Sequence, residues 1–412
     1  MVPNHELVDR HRPALGPVGN RGAILVLVAL ASASALLYLV TVGERVSLDS
    51  FLPLADGFLN GRLHIDEPMP WLELVPRTAG GFYSPFPPMP AVVLVPFVAL
   101  FGPGFDQGIA TALFGGANVA LVYALLRRAS VASVSAGWLT AAFAIGSVHW
   151  WVAGTGTVWL HAQVIGLFFA LLALILAVDR RWPILAGLLL GCAAASRLPM
   201  GLTLPLFLAL YLRAGFPPWV RRPSAAEWRA GALLLAGLAV PAILVAAYNL
   251  ARYGSPFEFG YGLIPGVLDE PWYAQGLLSI EYIPRHLHLM FMRGFDFVDQ
   301  FPWFRPNWSG ASLVLTMPVL LWLVKARSST PLIAYGWIAV ALALLPDLLH
   351  GAPGFAQFGY RFVLDVMPVV LLMLGWVFRD HISIEARIAI LIGIVVNAYG
   401  VWAVTVLGFV SY

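Results

Sequence analysis

The stretch Met89-Pro90-Ala91-Val92-Val93-Leu94-Val95-Pro96-Phe97-Val98-Ala99-Leu100-Phe101 decides the fold of this chain. It is apolar throughout, but a membrane-crossing helix needs about 20 residues, and Pro90 and Pro96 break an already short run. If it lies flat at the interface, the basic clusters Arg127/Arg128, Arg180/Arg181, Arg213/Arg221/Arg222/Arg229, Lys325/Arg327 and Arg379/Arg387 all fall on the side of the N-terminus. If it crosses, they all move outside. Loop arginines and lysines are retained on the cytoplasmic side, which selects the interfacial reading. The apolar runs 23–42, 106–126, 131–150, 161–178, 183–196, 199–212, 231–250, 309–324, 331–349, 362–378 and 388–409 then make about eleven spans. The expectation is an all-α polytopic membrane protein, one transmembrane domain over 1–412, with a cytoplasmic tail (1–22) and the C-terminus outside. Two large outer loops result, 43–105 with interfacial helices and 251–308 after the seventh span.

Composition agrees with that class. The 412-residue chain is 60% hydrophobic and 11% charged, where soluble domains carry roughly 25% charged residues. The net charge of +3 is too small to point to nucleic acid, and Lys325 is the only lysine. Cys192 is the only cysteine, so no disulfide framework exists. The run 23–42 follows a charged segment (Glu6, Asp9, Arg10, Arg12, Arg21) and exceeds a signal-peptide core, so it reads as a retained signal anchor in the plasma (cytoplasmic) membrane.

With this topology the acids segregate as sharply as the arginines. Asp49, Asp56, Asp66, Glu67, Glu73, Glu258, Asp269, Glu270, Glu281, Asp296 and Asp299 are all outside, among Tyr83, Trp272, Tyr273, Tyr282, Trp303 and Trp308. The outer face is therefore the working face. No phosphate-cradling nucleotide motif is present, since Gly154-Thr155-Gly156-Thr157 lacks both the spacing and the strand-to-helix setting. Soluble nucleotides are cytosolic, so an enzyme working outside needs an activated substrate delivered by the membrane, and a lipid-phosphate carrier meets that need.

Four segments carry a resemblance: Asp49-Ser50 with Asp56-Gly57 and Asn60-Gly61; Tyr83 with Pro85, Pro87 and Pro88; Arg252-Tyr253-Gly254-Ser255-Pro256-Phe257-Glu258-Phe259-Gly260-Tyr261; and Gly359-Tyr360-Arg361-Phe362. Together they resemble the GT-C superfamily of integral-membrane glycosyltransferases, in particular the protein mannosyltransferase and lipid A aminoarabinose transferase group. The resemblance implies a seven-span core with catalytic loops after the first and seventh spans. It also implies a polyprenyl-phosphate-linked sugar donor and a hexosyl- or pentosyltransferase acting on a glycan, lipid or protein acceptor. Where such enzymes carry Asp-Glu at the start of the first loop, this chain has Asp49-Ser50, and where a second acid often ends the third span it has His161.

Glycosyl transfer needs a base to take the acceptor proton as the anomeric carbon gains positive character, and Asp49 is the first candidate. Asp56, seven residues on, would stack above it on a helix starting at Ser50 and is the second. Asp66, Glu73 and His161 could hold a divalent ion that neutralises the leaving phosphate; the alternative is solvated acids and an interfacial histidine beside Trp150, Trp151 and Trp159. Arg197 lies in the turn Ser196-Arg197-Leu198-Pro199 between two short spans, where an arginine calls for an anion, either the carrier phosphate or lipid headgroups reached by snorkelling. Arg361 and Asp365 are four apart and could pair on one helix face. The resemblance makes Tyr360 and Arg361 phosphate ligands, Arg252 opens the second outer loop as a further one, and Tyr83 either binds the phosphate or anchors at the interface. The rival classes are a transporter or flippase of lipid-linked saccharide and an inactive scaffold. A transporter would place ionisable groups near the midplane, where Asp365 is the acid that stands out.

Overall fold

A computed structural model describes residues 21–42, 50–69, 73–327, 330–354 and 356–409. They are mostly helical. The first half comprises α1 (Arg21–Thr41), α2 (Phe51–Leu59), α3 (Met89–Phe101), α4 (Gln107–Arg128), α5 (Ser133–Ala144), α6 (His149–Thr155), α7 (Val158–Val178) and α8 (Pro183–Ala194). It continues with α9 (Leu198–Gly201), α10 (Leu204–Leu212), α11 (Ala225–Tyr253), α12 (Ile283–Phe291), α13 (Leu313–Thr316), α14 (Pro331–Leu349), α15 (Met367–Val377) and α16 (Ile384–Thr405). Two small antiparallel ribbons lie between helices, β1 (Val75–Pro76) with β2 (Phe82–Tyr83) and β3 (Asp296–Phe297) with β4 (Phe304–Arg305).

Six of the described helices, α1, α4, α7, α11, α14 and α16, are long and apolar enough to cross a membrane. The chain is a multi-pass membrane protein. Five of the eleven expected spans have a different form. Residues 131–150 divide between α5 and α6, 183–196 form the 12-residue α8, and 199–212 divide between α9 and α10. Residues 309–324 become α13 followed by a 3-10 helix, Pro318–Lys325, and 362–378 open with a 3-10 helix, Arg361–Val366, before α15. A 12-residue helix extends about 18 Å, against a hydrocarbon core of about 30 Å. Apolar runs alone give no warning of these breaks, because hydropathy reports composition and not backbone continuity.

Close helix approach and buried polar ties hold the bundle, since lipid offers apolar side chains no gain from leaving it. Where α8 crosses α11, a Cβ on Gly187 would sit 1.9 Å from the Leu234 carbonyl oxygen and one on Gly237 1.9 Å from that of Ile184, so only glycine allows the contact. Asn118 of α4 donates to the Val164 carbonyl of α7 at 2.9 Å, and Arg128 pairs with Asp179 at 2.7 Å at the ends of the same two helices. A full capping box starts α11, where Ser224 and Glu227 bond reciprocally and Arg221 pairs with Glu227 at 2.8 Å. Gly254, in the left-handed region at φ +74°, ends α11 and turns the chain into the second loop.

The first loop has its own small core. Phe51, Leu52, Leu54 and Ala55 of α2 pack with Ile65, Phe86 and with Ala91, Leu94 and Val98 of α3, against Val158 and Ala162 of α7. This core fixes α2 and the Tyr83–Pro88 strip over the end of the bundle.

Candidate active site

Arg252 occupies the last turn of α11 and is 8% exposed. Its Nη1 donates to the Ser84 carbonyl at 2.5 Å and to the Tyr253 hydroxyl at 3.1 Å, and its Nη2 to Asn249 Oδ1 at 2.8 Å. Three rings surround the guanidinium carbon, Tyr248 at 3.7 Å, Tyr253 at 4.5 Å and Tyr83 at 6.0 Å. Its hydrogen-bond partners are a carbonyl, an amide and a phenol, and no carboxylate pairs with it among the described residues. Arg252 Nε and the Tyr248 hydroxyl are both buried donors without a hydrogen-bond partner among the described residues. Aromatic faces and neutral acceptors stabilise the cation but leave its net charge in place.

Ser84 joins this cage to the first loop. Its hydroxyl lies 3.3 Å from that of Ser50, the buried residue that precedes α2. The segments around Ser50, Tyr83 and Arg252, far apart in sequence, thus meet at Ser84. Asp49, the leading base candidate, lies outside the described residues.

The half-buried carboxyl of Glu73 adjoins the cage through an apolar patch of Tyr83, Tyr253, Tyr261 and Tyr273. The Tyr261 hydroxyl donates to Glu73 Oε1 at 3.4 Å and receives a bond from Tyr273 at 3.3 Å, while Glu73 Oε2 is buried without a partner. Burial, reinforced by the charge of Glu270, pushes the Glu73 carboxyl up to about 7; Tyr261, Trp159 and Arg361 oppose the rise.

A third group lies deeper. Arg197 grips Asp365 side-on, with Nε 3.0 Å and Nη2 2.7 Å from Oδ2, and Nη2 also reaches Asp347 Oδ1 at 3.4 Å. Arg361 donates to Gln163 Oε1 at 3.3 Å, and the Gln163 amide donates back to the Arg361 carbonyl at 3.1 Å. The Tyr360 hydroxyl lies 2.8 Å from His286 Nδ1. Two expectations change here. The anion that meets Arg197 is the protein's own pair of carboxylates, and Asp365 pairs with Arg197 from another helix rather than with Arg361 on its own. Asp347 went unremarked although it falls within the apolar run 331–349, so an acid inside a span was there to be read.

The other candidates are dispersed. Asp56 is held by Arg62 at 3.2 Å and Asn60 at 3.3 Å. Asp66 is half-exposed and paired with Arg62 and with His64 at 3.3 Å. His161 is fully buried under Phe51, with Nδ1 2.8 Å from the Thr111 hydroxyl. Asp66, Glu73 and His161 therefore do not form a ligand set, and no group of three or more His, Cys, Asp or Glu placed to hold a metal occurs among the described residues. The participants that sequence reasoning missed, Ser84, Tyr248, Gln163 and Asp347, were assigned no role, and Tyr261 was quoted only as the end of its segment; their placement comes from tertiary contacts.

No protein-family model matches the chain, and no curated protein matches its sequence. Solved structures do. The crystal structure of ArnT from Cupriavidus metallidurans bound to undecaprenyl phosphate aligns with a TM-score of 0.52 at 17% identity, covering 93% of this chain and 64% of ArnT. The apo ArnT structure gives 0.50 at 18%, covering 90% and 62%. The Archaeoglobus fulgidus oligosaccharyltransferase tethered to an acceptor peptide gives 0.47 at 15%, covering 94% and 55%. The chain thus spans less than two thirds of the length of ArnT. Over nearly its whole length it shares the fold of the two ArnT crystal structures.

Proposed function

We propose that the protein is a glycosyltransferase that moves a hexosyl or pentosyl group from a polyprenyl-phosphate carrier to a hydroxyl or amine of a glycan, lipid or protein acceptor on the outer face of the plasma membrane. Its N-terminus is cytoplasmic in this reading, and the short helices complete about eleven passes. The observation that carries the reading is Arg252, a buried cation with no carboxylate partner among the described residues, whose own Nε and the neighbouring Tyr248 hydroxyl are buried donors without partners among those residues. The fold it shares with ArnT, which was crystallised with undecaprenyl phosphate, supports the same donor class.

In the reaction the bond between the anomeric carbon and the phosphate oxygen breaks, and that carbon bonds to the acceptor atom. Charge builds on the leaving phosphate, where Arg252 and the Tyr248 and Tyr83 side chains offset it in a water-poor setting. In this reading Arg361, whose charge is felt at Glu73, also meets the donor phosphate. Asp49 takes the acceptor proton.

Purified protein in nanodiscs, given radiolabelled polyprenyl-phosphate sugars, tests this. Arg252→Ala should weaken donor binding and raise donor KM about 10–100-fold, the worth of a charge-assisted bond, with Arg252→Lys recovering part. Unchanged donor binding in Arg252→Ala would remove the phosphate site. Movement of intact lipid-linked sugar between leaflets without transfer would establish the flippase instead.

A further inference from the structure

Arg197 sits in the turn between α8 and α9, yet its two carboxylate partners bracket one other segment. Asp347 lies in the last turn of α14, and Asp365 lies in the 3-10 helix that precedes α15. The chain between them carries His350, Gln357, Tyr360 and Arg361. Asp365 Oδ1 also receives a long bond from Gln163 at 3.5 Å, and the same amide holds the Arg361 backbone and side chain. The contacts therefore run Arg197, Asp365, Gln163, Arg361. Phe362 is clasped between the two guanidinium groups, 5.4 Å from Arg197 and 5.0 Å from Arg361.

We infer that Arg197 is a positioning residue: it clips both ends of segment 347–365 and, through Asp365 and Gln163, sets where Arg361 points. The inference rests on Arg361 facing the donor phosphate as proposed above. The guanidinium fork is what makes the clip. Its Nε and Nη2 engage Asp365 while Nη2 turns an edge to Asp347, a span that a single lysine ammonium does not cover. Asp347 is the looser end: its contact is the longest of the set, and its Oδ2 is buried without a partner.

Hydrogen exchange of segment 350–361 and steady-state kinetics, both in nanodiscs, test the clip with Arg197→Lys, Asp347→Asn and Asp365→Asn. Arg197→Lys should speed exchange in 350–361 and not in α4 or α7. It should lower kcat about 10–100-fold, the penalty for a misplaced binding group, while donor KM moves less than about twofold. Combining Arg197→Lys with Asp365→Asn should cost no more than the worse single change, because both release one clip. If Asp365→Asn fails to fold, Asp347→Asn supplies the same readout at the weaker contact. A raised donor KM with unchanged exchange would make Arg197 a phosphate ligand and overturn the inference. Unchanged exchange in both Arg197→Lys and Asp347→Asn would overturn it whatever the activity, so the clip can fail while the glycosyltransferase reading stands. A lowered melting point with normal kcat and KM would reduce Arg197 to scaffold and also overturn it.

Discussion

Two arginines of this protein, Arg252 buried and Arg197 partly so, look alike in the sequence and differ in the structure. Arg197 is met by Asp365 and Asp347, so its charge is balanced from within. Arg252 is met by Ser84, Asn249 and three tyrosine rings, with no carboxylate among the described residues to balance its charge. The difference teaches that burial alone does not mark an anion site. An internal carboxylate turns the residue into structure, while neutral acceptors and aromatic faces leave it able to bind. Stability should separate the two. Arg197→Ala strands two buried carboxylates and should cost about 3–5 kcal/mol. Arg252→Ala removes a cation that no carboxylate among the described residues needs, and should cost clearly less. Denaturant midpoints of the two purified variants measure this, and equal losses would break the comparison.

The next largest effect concerns Asp49, the base proposed above. Asp49→Asn should lower turnover by about 10²-fold or more while donor binding survives, since an acceptor proton loses its destination and size is unchanged. Asp56→Asn should leave turnover within a few-fold, because Asp56 is committed to Arg62 and Asn60. The reverse pattern would transfer the role to Asp56.

Much of this was legible before any coordinates. Six of the expected spans emerge as long apolar helices, and Met89–Phe101, too short to count among them, is a 13-residue helix packed against α2. Long hydrophobic runs report helices well because a bilayer forces backbone groups to bond within the segment. The broken spans were not legible, as partial satisfaction of the backbone by 3-10 turns and neighbouring helices leaves no trace in hydropathy. Tyr83 and Arg252, singled out from separate segments, lie together, with the guanidinium carbon 6.0 Å from the ring, while Arg361 is held by Gln163. Partners were the weak point. Nothing in the spacing of Arg361 and Asp365 reveals that Arg197, more than 160 positions earlier, takes the carboxylate first. His161 read as interfacial from its tryptophan neighbours, although Thr111 and Phe51 enclose it.

Glu73, between the two arginine sites, gives a smaller and pH-dependent effect. With its carboxyl pushed up to about 7 against an ordinary 4.5, the folded protein holds a proton that the unfolded chain releases. Stability from this group is greatest below pH 4.5, falls as pH rises through 7, and is flat above. Glu73→Gln should remove that slope and raise stability at pH 8 by roughly 2 kcal/mol relative to the native protein. Burial holds His286 down to about 4, so acid acts there in the opposite sense, destabilising below pH 6.5 in both proteins. The difference in melting temperature between the two proteins, followed from pH 4.5 to 8, isolates Glu73. A difference that does not change with pH would mean that its carboxyl titrates in the usual range.

The smallest expected effect sharpens the comparison most, because it changes a single hydroxyl on each side. Tyr248 keeps its ring 3.7 Å from the Arg252 guanidinium carbon, and its buried hydroxyl has no hydrogen-bond partner. Tyr248→Phe preserves the cation–ring contact and removes an unsatisfied donor, so stability should hold or rise slightly. If that hydroxyl meets the carrier phosphate, donor KM should rise about 2–10-fold, the net worth of one hydrogen bond. On the other side, the Tyr360 hydroxyl already has a partner in His286 at 2.8 Å. Tyr360→Phe should therefore cost about 1 kcal/mol of stability, with donor KM unchanged. Melting curves and donor titrations of the two variants give four values in which the effects cross: affinity lost at Tyr248, stability lost at Tyr360. Affinity lost at Tyr360 with none lost at Tyr248 would remove the Arg252 cage from the phosphate site and leave Arg361 to hold the phosphate.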